Sequence, residues 1–460
     1  MLKLAGPLNR YPARVTSLGF AILVLVGTLM LYAPWACADR TKPISLVDSL
    51  FMATSSVCVT GLSVRSVVDD FSFMGQLSLL LLIQVGGLGI MTLTTFVLFA
   101  SGERGGLRHH LVISSTIAGQ SKADLRILLR RVLVVTALSE AIGSLVLFVR
   151  FVFQMPIETA LWNSVFLSIS SFCNAGFALD NQSLIPYQND PIVLSVISGL
   201  IIIGGIGYPV LFDIAGRHRR NGFSGLWDDL HIHSKLIILG TVALLIGGFF
   251  AILILEWNNP NASNQSLYTR CMIAAFQSVT CRTAGYNSVD LTTFGNATLI
   301  VIMILMLIGA GPCSTAGGMK VTTFFMIALL AFNKFRGQQN VTIFRRTIPA
   351  IAIDRAMATA ILFVTVVTIG SVLLLSIEQI GQTRNTQRFQ FLQIVFEVVS
   401  AIGTVGLSIN ETWNLTPLSK LVLVILMFVG RLGPIAFFSA LATSSPKPRI
   451  QYASEEPITG

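Results

Sequence analysis

Ser56-Val57-Cys58-Val59-Thr60-Gly61 returns three times along the chain, as Ser171-Phe172-Cys173-Asn174-Ala175-Gly176, Thr280-Cys281-Arg282-Thr283-Ala284-Gly285 and Ala401-Ile402-Gly403-Thr404-Val405-Gly406. Each copy follows a run of about 11 apolar and hydroxyl residues, against the roughly 20 that a bilayer crossing needs. A bulky residue and then a full-length apolar run come next. The closing glycines stand 115, 109 and 121 residues apart (positions 61, 176, 285 and 406). Four re-entrant, glycine-ended segments on one polypeptide are what an ion-selectivity filter of pseudo-fourfold symmetry needs.

Composition places these segments in a bilayer. Of 460 residues, 53% are hydrophobic and 11% charged, with mean hydropathy +0.76; a soluble globular chain carries about 25% charged residues. Eight long apolar runs are expected to cross: Val15–Tyr32, Leu77–Ala100, Val132–Phe153, Ile192–Ile214, Leu236–Leu255, Ala297–Phe332, Ala356–Ile377 and Leu418–Ala442. With the short segments between them they read as helix, re-entrant segment, helix (M1, P, M2) four times. The expected fold is an all-α polytopic membrane protein, eight transmembrane helices and four re-entrant pore loops in a pseudo-fourfold arrangement around one pore per chain. The repeats divide at 1–105, 106–222, 223–340 and 341–445, leaving 446–460 as a cytoplasmic tail. No cleavable signal is expected, because the first apolar run is long enough to remain as a membrane helix.

The M2 runs keep step with the loops. They carry Val85-Gly86-Gly87-Leu88-Gly89, Ile203-Gly204-Gly205-Ile206-Gly207, Ile308-Gly309-Ala310-Gly311 and Val429-Gly430-Arg431-Leu432-Gly433, with the first glycine 25, 28, 24 and 24 residues beyond the loop glycine. With Met1 taken as cytoplasmic, 21 of 31 basic residues fall on inner segments, eight outside, and Arg282 and Arg431 within the pore. The positive-inside rule then puts both termini in the cytoplasm and the P segments on the outer side. This accounts for the basic excess without nucleic acid. Asp69, Asp70, Asp180, Asp190, Asp290 and Glu411 gather near the outer mouth, either to draw cations or as a solvated loop surface. Six scattered cysteines without a C-x-x-C pair suggest neither disulfides nor a transition-metal site; Cys58 and Cys173 are expected to pack behind a filter whose working atoms are backbone carbonyls.

Two features break the repeat. The third M2 is interrupted by Gly309-Ala310-Gly311-Pro312-Cys313-Ser314-Thr315-Ala316-Gly317-Gly318, followed by Met319 and Lys320. Glycine and proline at this density unwind a helix, and the expected result is a flexible gate loop beneath the filter. The fourth M2 carries Arg431 where the others have Gly87, Gly205 and Ala310. It is read as a barrier to cation leakage that bonds the loop's carbonyls, with a structural arginine capping a helix end as the alternative. Arg282 is expected to pair with Glu397 and so brace the filter from behind.

With these features together, the chain resembles the Trk/Ktr/HKT superfamily of potassium transporters, and within it the KtrB-type membrane subunits. The likeness includes Gln84-Val85-Gly86-Gly87-Leu88-Gly89, Asn174-Ala175-Gly176-Phe177-Ala178-Leu179, Leu230-His231-Ile232-His233, Arg282 through Leu291 and Gly430-Arg431-Leu432-Gly433-Pro434. The resemblance implies potassium uptake in the bacterial inner membrane, stimulated by sodium. It implies a filter at Cys58–Gly61, Cys173–Gly176, Arg282–Gly285 and Gly403–Gly406, and a gate at Gly309–Gly318 with Lys320 and Arg431. It also implies a homodimer seated on a cytosolic, octameric KtrA-type ring that binds ATP or ADP, since this chain has no nucleotide motif or cofactor of its own. Pro312 and Tyr286 depart from the pattern usual there. A secondary transporter would show two-fold repeats, and Glu140, Asp213, His231 and His233 are too isolated for an enzyme. Gated channel and coupled symporter both remain open.

Overall fold

The computed structural model describes residues 12–39, 41, 43–102, 122–221, 226–260, 265–338, 341–344, 346–380, 384–409 and 412–441. The expectations for Lys3, Arg10, Arg40, Lys42, Glu411, residues 103–121 and the 446–460 tail fall outside them. In chain order the first quarter holds α1 (Pro12–Tyr32), α2 (Leu46–Val57) and α3 (Phe73–Gly102). The second holds α4 (Lys122–Phe151), α5 (Ile157–Phe172), α6 (Pro191–Ile206) and α7 (Tyr208–Asn221). The third holds α8 (Leu226–Asp229), α9 (Ile232–Leu255), α10 (Leu267–Thr280), α11 (Asn296–Leu307) and α12 (Val321–Phe335). A small antiparallel hairpin, β1 (Thr342–Ile343) with β2 (Arg346–Thr347), qualifies the all-helical expectation and leads to α13 (Ala350–Glu378), α14 (Arg384–Gly403), α15 (Pro417–Leu432) and α16 (Pro434–Leu441).

The helices α1, α4, α9 and α13 contain unbroken apolar spans of 19, 23, 24 and 29 residues, each long enough to cross a bilayer. The M2 runs differ from expectation. Only the third was expected to break, yet α6 and α7 meet at 92° and α15 and α16 at 101°. The cause is local. Gly207 and Gly433 take φ of 92° and 84°, and Pro209 and Pro434 follow, where a missing N–H and a ring clash prevent the helix from continuing. Each bent pair reaches a membrane-crossing length only when its two arms are joined.

Polarity is arranged for lipid. Leu25, Leu29, Leu138, Leu145, Ile254 and Val364 face outward with more than half their surface exposed. Hydroxyls line the interior instead: Ser55, Ser56, Ser170, Ser171, Thr280 and Ser400 are fully buried. The short helices carry these hydroxyls, and their packing closes a circle. Each lies against the first span of its own quarter and the last span of the quarter before: α2 on α1 and α15, α5 on α4 and α3, α10 on α9 and α6, α14 on α13 and α11.

Candidate functional site

At the centre of this circle the four closing glycines touch in cyclic order. A β-carbon on Gly61 would overlap the carbonyl oxygen of Ala175, one on Gly176 that of Ala284, one on Gly285 that of Val405, and one on Gly406 that of Thr60. Their φ values are 93°, 72°, 80° and 94°, a region that only glycine enters freely. Two residues earlier in each loop a non-glycine residue is also left-handed: Val59 at 55°, Asn174 at 60°, Thr283 at 71° and Thr404 at 50°. Three of these are β-branched, for which such a φ is a steric outlier. Strain of this kind costs about 1–3 kcal/mol per residue and persists only where surrounding structure enforces it. In each loop the two left-handed residues are separated by a single residue, so the backbone alternates in a way that no helix or strand does.

The enforcement comes from hydroxyls that sequence reading passed over. Ser55 Oγ accepts the Gly61 N–H at 3.1 Å and donates to the Leu62 carbonyl at 2.6 Å. Ser170 Oγ donates to the Phe177 carbonyl at 2.8 Å. Thr280 Oγ1 accepts the Tyr286 N–H at 2.8 Å and donates to its carbonyl at 2.9 Å, and Ser400 Oγ accepts the Gly406 N–H at 3.1 Å. The signal was present as a hydroxyl five or six residues before every closing glycine. Tyr286 adds a tie between loops: it is fully buried, accepts from Ser171 Oγ at 3.1 Å and donates to the Phe177 carbonyl at 3.4 Å.

The M2 glycines are notches for the ends of the short helices. A β-carbon at Gly86, Gly204 or Gly430 would overlap the carbonyl oxygen of Val57, Phe172 or Ile402. The third quarter differs, because Gly309 packs instead against the carbonyl of Gly317 in its own interrupted segment.

That segment joins α11 to α12 as a loop tied to three quarters of the molecule. The Gly309 N–H donates to the Met319 carbonyl at 2.8 Å and closes its base. The Gly311 and Thr315 N–H groups donate to the Gly205 and Gly204 carbonyls at 2.9 and 3.2 Å, while Thr315 Oγ1 donates to the Phe172 carbonyl at 3.1 Å. On the far side, Gly317 abuts the Thr404 side chain and Gly318 the Gly403 carbonyl. Lys320 Nζ folds back to donate to the Ala316 carbonyl at 2.7 Å. Pro312 places its carbonyl against Gly207, so the bend between α6 and α7 makes room for the loop.

Arg431 is 3% exposed and donates to the carbonyls of Thr315 and Gly86, the latter at 2.9 Å. It therefore fastens the interrupted segment to α15 and α3. Arg282, also buried, does not pair with Glu397. Its guanidinium lies 3.5 Å from Thr241 and from the Gly309 carbonyl, because the third loop turns it towards the foot of α11. Glu397 instead accepts from Ser408 and Thr412 Oγ1 and holds the chain beyond the fourth glycine. Cys58, Cys173 and Cys281 are the buried C-terminal caps of α2, α5 and α10. His231 and Asp213 lie apart from the ring, where Asp213 joins Arg217, His231 and Ser234 between α7 and α9.

Residues 25–451 match the family described as TrkH, cation transport protein. The chain is 35% identical to the Ktr system potassium uptake protein B of Bacillus subtilis (strain 168), over 98% of this chain and 97% of that one. It is 33% identical to the potassium/sodium uptake protein NtpJ of Enterococcus hirae, over 97% and 96%. The crystal structure of the potassium transporter TrkH from Vibrio parahaemolyticus superposes with a TM-score of 0.70 at 18% identity, covering 92% of this chain and 84% of that one; the likeness is one of fold.

Proposed function

The chain belongs to the TrkH family of cation transport proteins, transporters and not enzymes, and from that premise we propose that it carries potassium into the cell through a filter made of its four glycine-ended loops. The relatives named for potassium uptake support the ion. The observation that carries the mechanism is the cyclic contact of Gly61, Gly176, Gly285 and Gly406, each with a left-handed residue two positions earlier. Carbonyl oxygens in such a ring replace the hydration shell of a monovalent cation. The short helices end at the loops, so their negative ends favour the same charge.

In this reading the four M1-P-M2 repeats surround one pore and 309–318 is its gate. The loop crosses from Gly204 and Gly205 to Gly403 and Thr404, and the Arg431 charge beside it opposes a cation. Opening requires release of the Arg431 bonds and of the Lys320 bond to Ala316. The cytoplasmic termini, the inner-membrane location, sodium stimulation, the homodimer and the KtrA-type octameric ring with its ATP or ADP belong to the same proposal.

Growth of a potassium-uptake-deficient bacterium at low potassium, with and without sodium and with the partner subunit co-expressed, tests it. Rescue that is stronger with sodium is expected; no rescue despite membrane expression rejects potassium uptake.

A further inference from the structure

Behind the second loop lies a polar chain that the transport reading leaves unused. Glu140 sits in the middle of α4 and is 9% exposed. One carboxylate oxygen accepts from Gln84 Nε2 of α3 at 3.1 Å; the other, Oε1, is buried without a hydrogen-bond partner. The Gln84 amide continues the chain on its other side, where its oxygen accepts the Cys173 thiol at 3.3 Å. Cys173 is the fully buried cap of α5 and precedes Gly176 by three residues. Its sulfur also fills the notch left by Gly87. The backbone of Glu140 is anchored as well, since Ser168 Oγ of α5 donates to its carbonyl at 2.7 Å.

A carboxylic side chain at the middle of a membrane span is costly and stays only where a polar partner or cavity holds it. Here it has one bond, to a glutamine whose second bond ends on the loop. Among the described residues no other ionisable side chain touches the Glu140 carboxyl. The α3 and α6 sequences contain none, and α5 has only Glu158, in its first turn. Arg431 reaches the neighbouring backbone at Gly86, not the carboxylate.

We propose that Glu140 is a positioning residue for the second loop and, through Gln84, a determinant of potassium over sodium discrimination. The physical reason is the left-handed turn at Asn174, with φ of 60°, which sets where the carbonyls on either side of it lie and shifts if the loop is free to move. Ser170 fixes the far side of that loop and the Gln84 amide fixes its near side at Cys173. A loop held on both sides keeps its carbonyls at the spacing of the larger ion; a loop free on one side collapses around the smaller. Because the amide needs its nitrogen directed at Glu140 to present its oxygen to Cys173, the carboxyl sets the orientation of the whole chain. The inference rests on the filter reading above.

Purified full-length protein in proteoliposomes provides the test, through potassium and sodium flux ratios. Glu140→Leu, Gln84→Leu and Cys173→Ala are each expected to lower the ratio by up to about tenfold, the worth of one buried hydrogen bond. The double variant Glu140→Leu with Cys173→Ala should lose no more than either alone, and Glu140→Gln, which can still accept from Gln84, should restore the ratio. A Glu140→Leu protein with unchanged selectivity overturns the inference. So does an additive double variant, or a Glu140→Gln protein as unselective as Glu140→Leu. Should Glu140→Leu fail to fold, Gln84→Leu against Glu140→Gln decides by the same ratio. Absence of selective flux in the unaltered protein counts against the filter reading itself, so the two failures are distinguishable.

Discussion

Arg431 Nη2 donates to the carbonyl of Gly86 at 2.9 Å, joining residues that lie 345 positions apart in the chain. The same guanidinium holds the carbonyl of Thr315, so one side chain ties the interrupted segment to the first and last quarters. A planar fork reaches two carbonyls at once, which a lysine ammonium on a flexible stem does not reproduce.

Arg431→Ala should therefore raise potassium flux, by about tenfold or more if each lost bond to a charged donor is worth ~1.5–3 kcal/mol to the closed state. Arg431→Lys should fall between the two. Rubidium tracer uptake into proteoliposomes measures this; a drop in flux in folded protein would remove Arg431 from the barrier.

Gly176→Ser meets two obstacles, a φ of 72° and a β-carbon 2.7 Å from the Ala284 carbonyl oxygen. Relief must come from movement of the second and third loops, and discrimination against sodium should weaken. Unaltered preference in competition assays would separate Gly176 from ion selection.

Gly86→Ala tests the helix notch in place of the ring. The added methyl overlaps the Val57 carbonyl, and overpacking of this kind costs about 1–3 kcal/mol. Thermal unfolding in detergent should show a clear fall for Gly86→Ala and none for Gly19→Ala, where nothing lies within 4 Å.

Ser55→Ala removes both an acceptor for Gly61 and a donor to Leu62. Leaving those backbone groups unpaired costs about 1–3 kcal/mol. Lower stability with weakened potassium selectivity is expected, and Ser55→Thr, which keeps the hydroxyl, should retain more of both.

Acid should loosen the N-terminal end of α2. Burial raises the Asp48 carboxyl, but hydrogen bonds from Lys420 and Arg65 at 2.8 and 2.9 Å outweigh it and hold the carboxyl below its ordinary 3.8. A depressed carboxyl contributes stability above that ordinary value, and the contribution is lost as pH falls through the folded-state value. Unfolding temperature should drop below about pH 4, and Asp48→Asn should be less stable at neutral pH and flatter across that acid range.

Family membership and the positions of the loop glycines were legible in the sequence, because a glycine at a left-handed turn is a local demand repeated at near-constant spacing. The interruption of the third M2 run was legible for the same reason, as Gly309 to Gly318 cannot remain helical. The clamp hydroxyls Ser55, Ser170, Thr280 and Ser400 were visible but looked like ordinary polar residues in an apolar run. The bends at Gly207 and Gly433 were missed because glycine followed by proline within two residues is compatible with a kinked continuous span.

Sequence alone determined that the backbone leaves the helix at the four loop glycines and at Gly309–Gly318, since a dense run of glycine and proline acts within one or two residues, whereas the lone glycine–proline pairs at Gly207 and Gly433 left bend and kink open. Tertiary structure decided what each departure touches. It set the cyclic meeting of four glycines, the turn of Arg282 towards Gly309 and away from Glu397, and the reach of Arg431 to Gly86 and Thr315. Those pairings depend on which helices become neighbours around the circle, and a buried side chain bonds to whatever unpaired group the packing brings within about 3 Å.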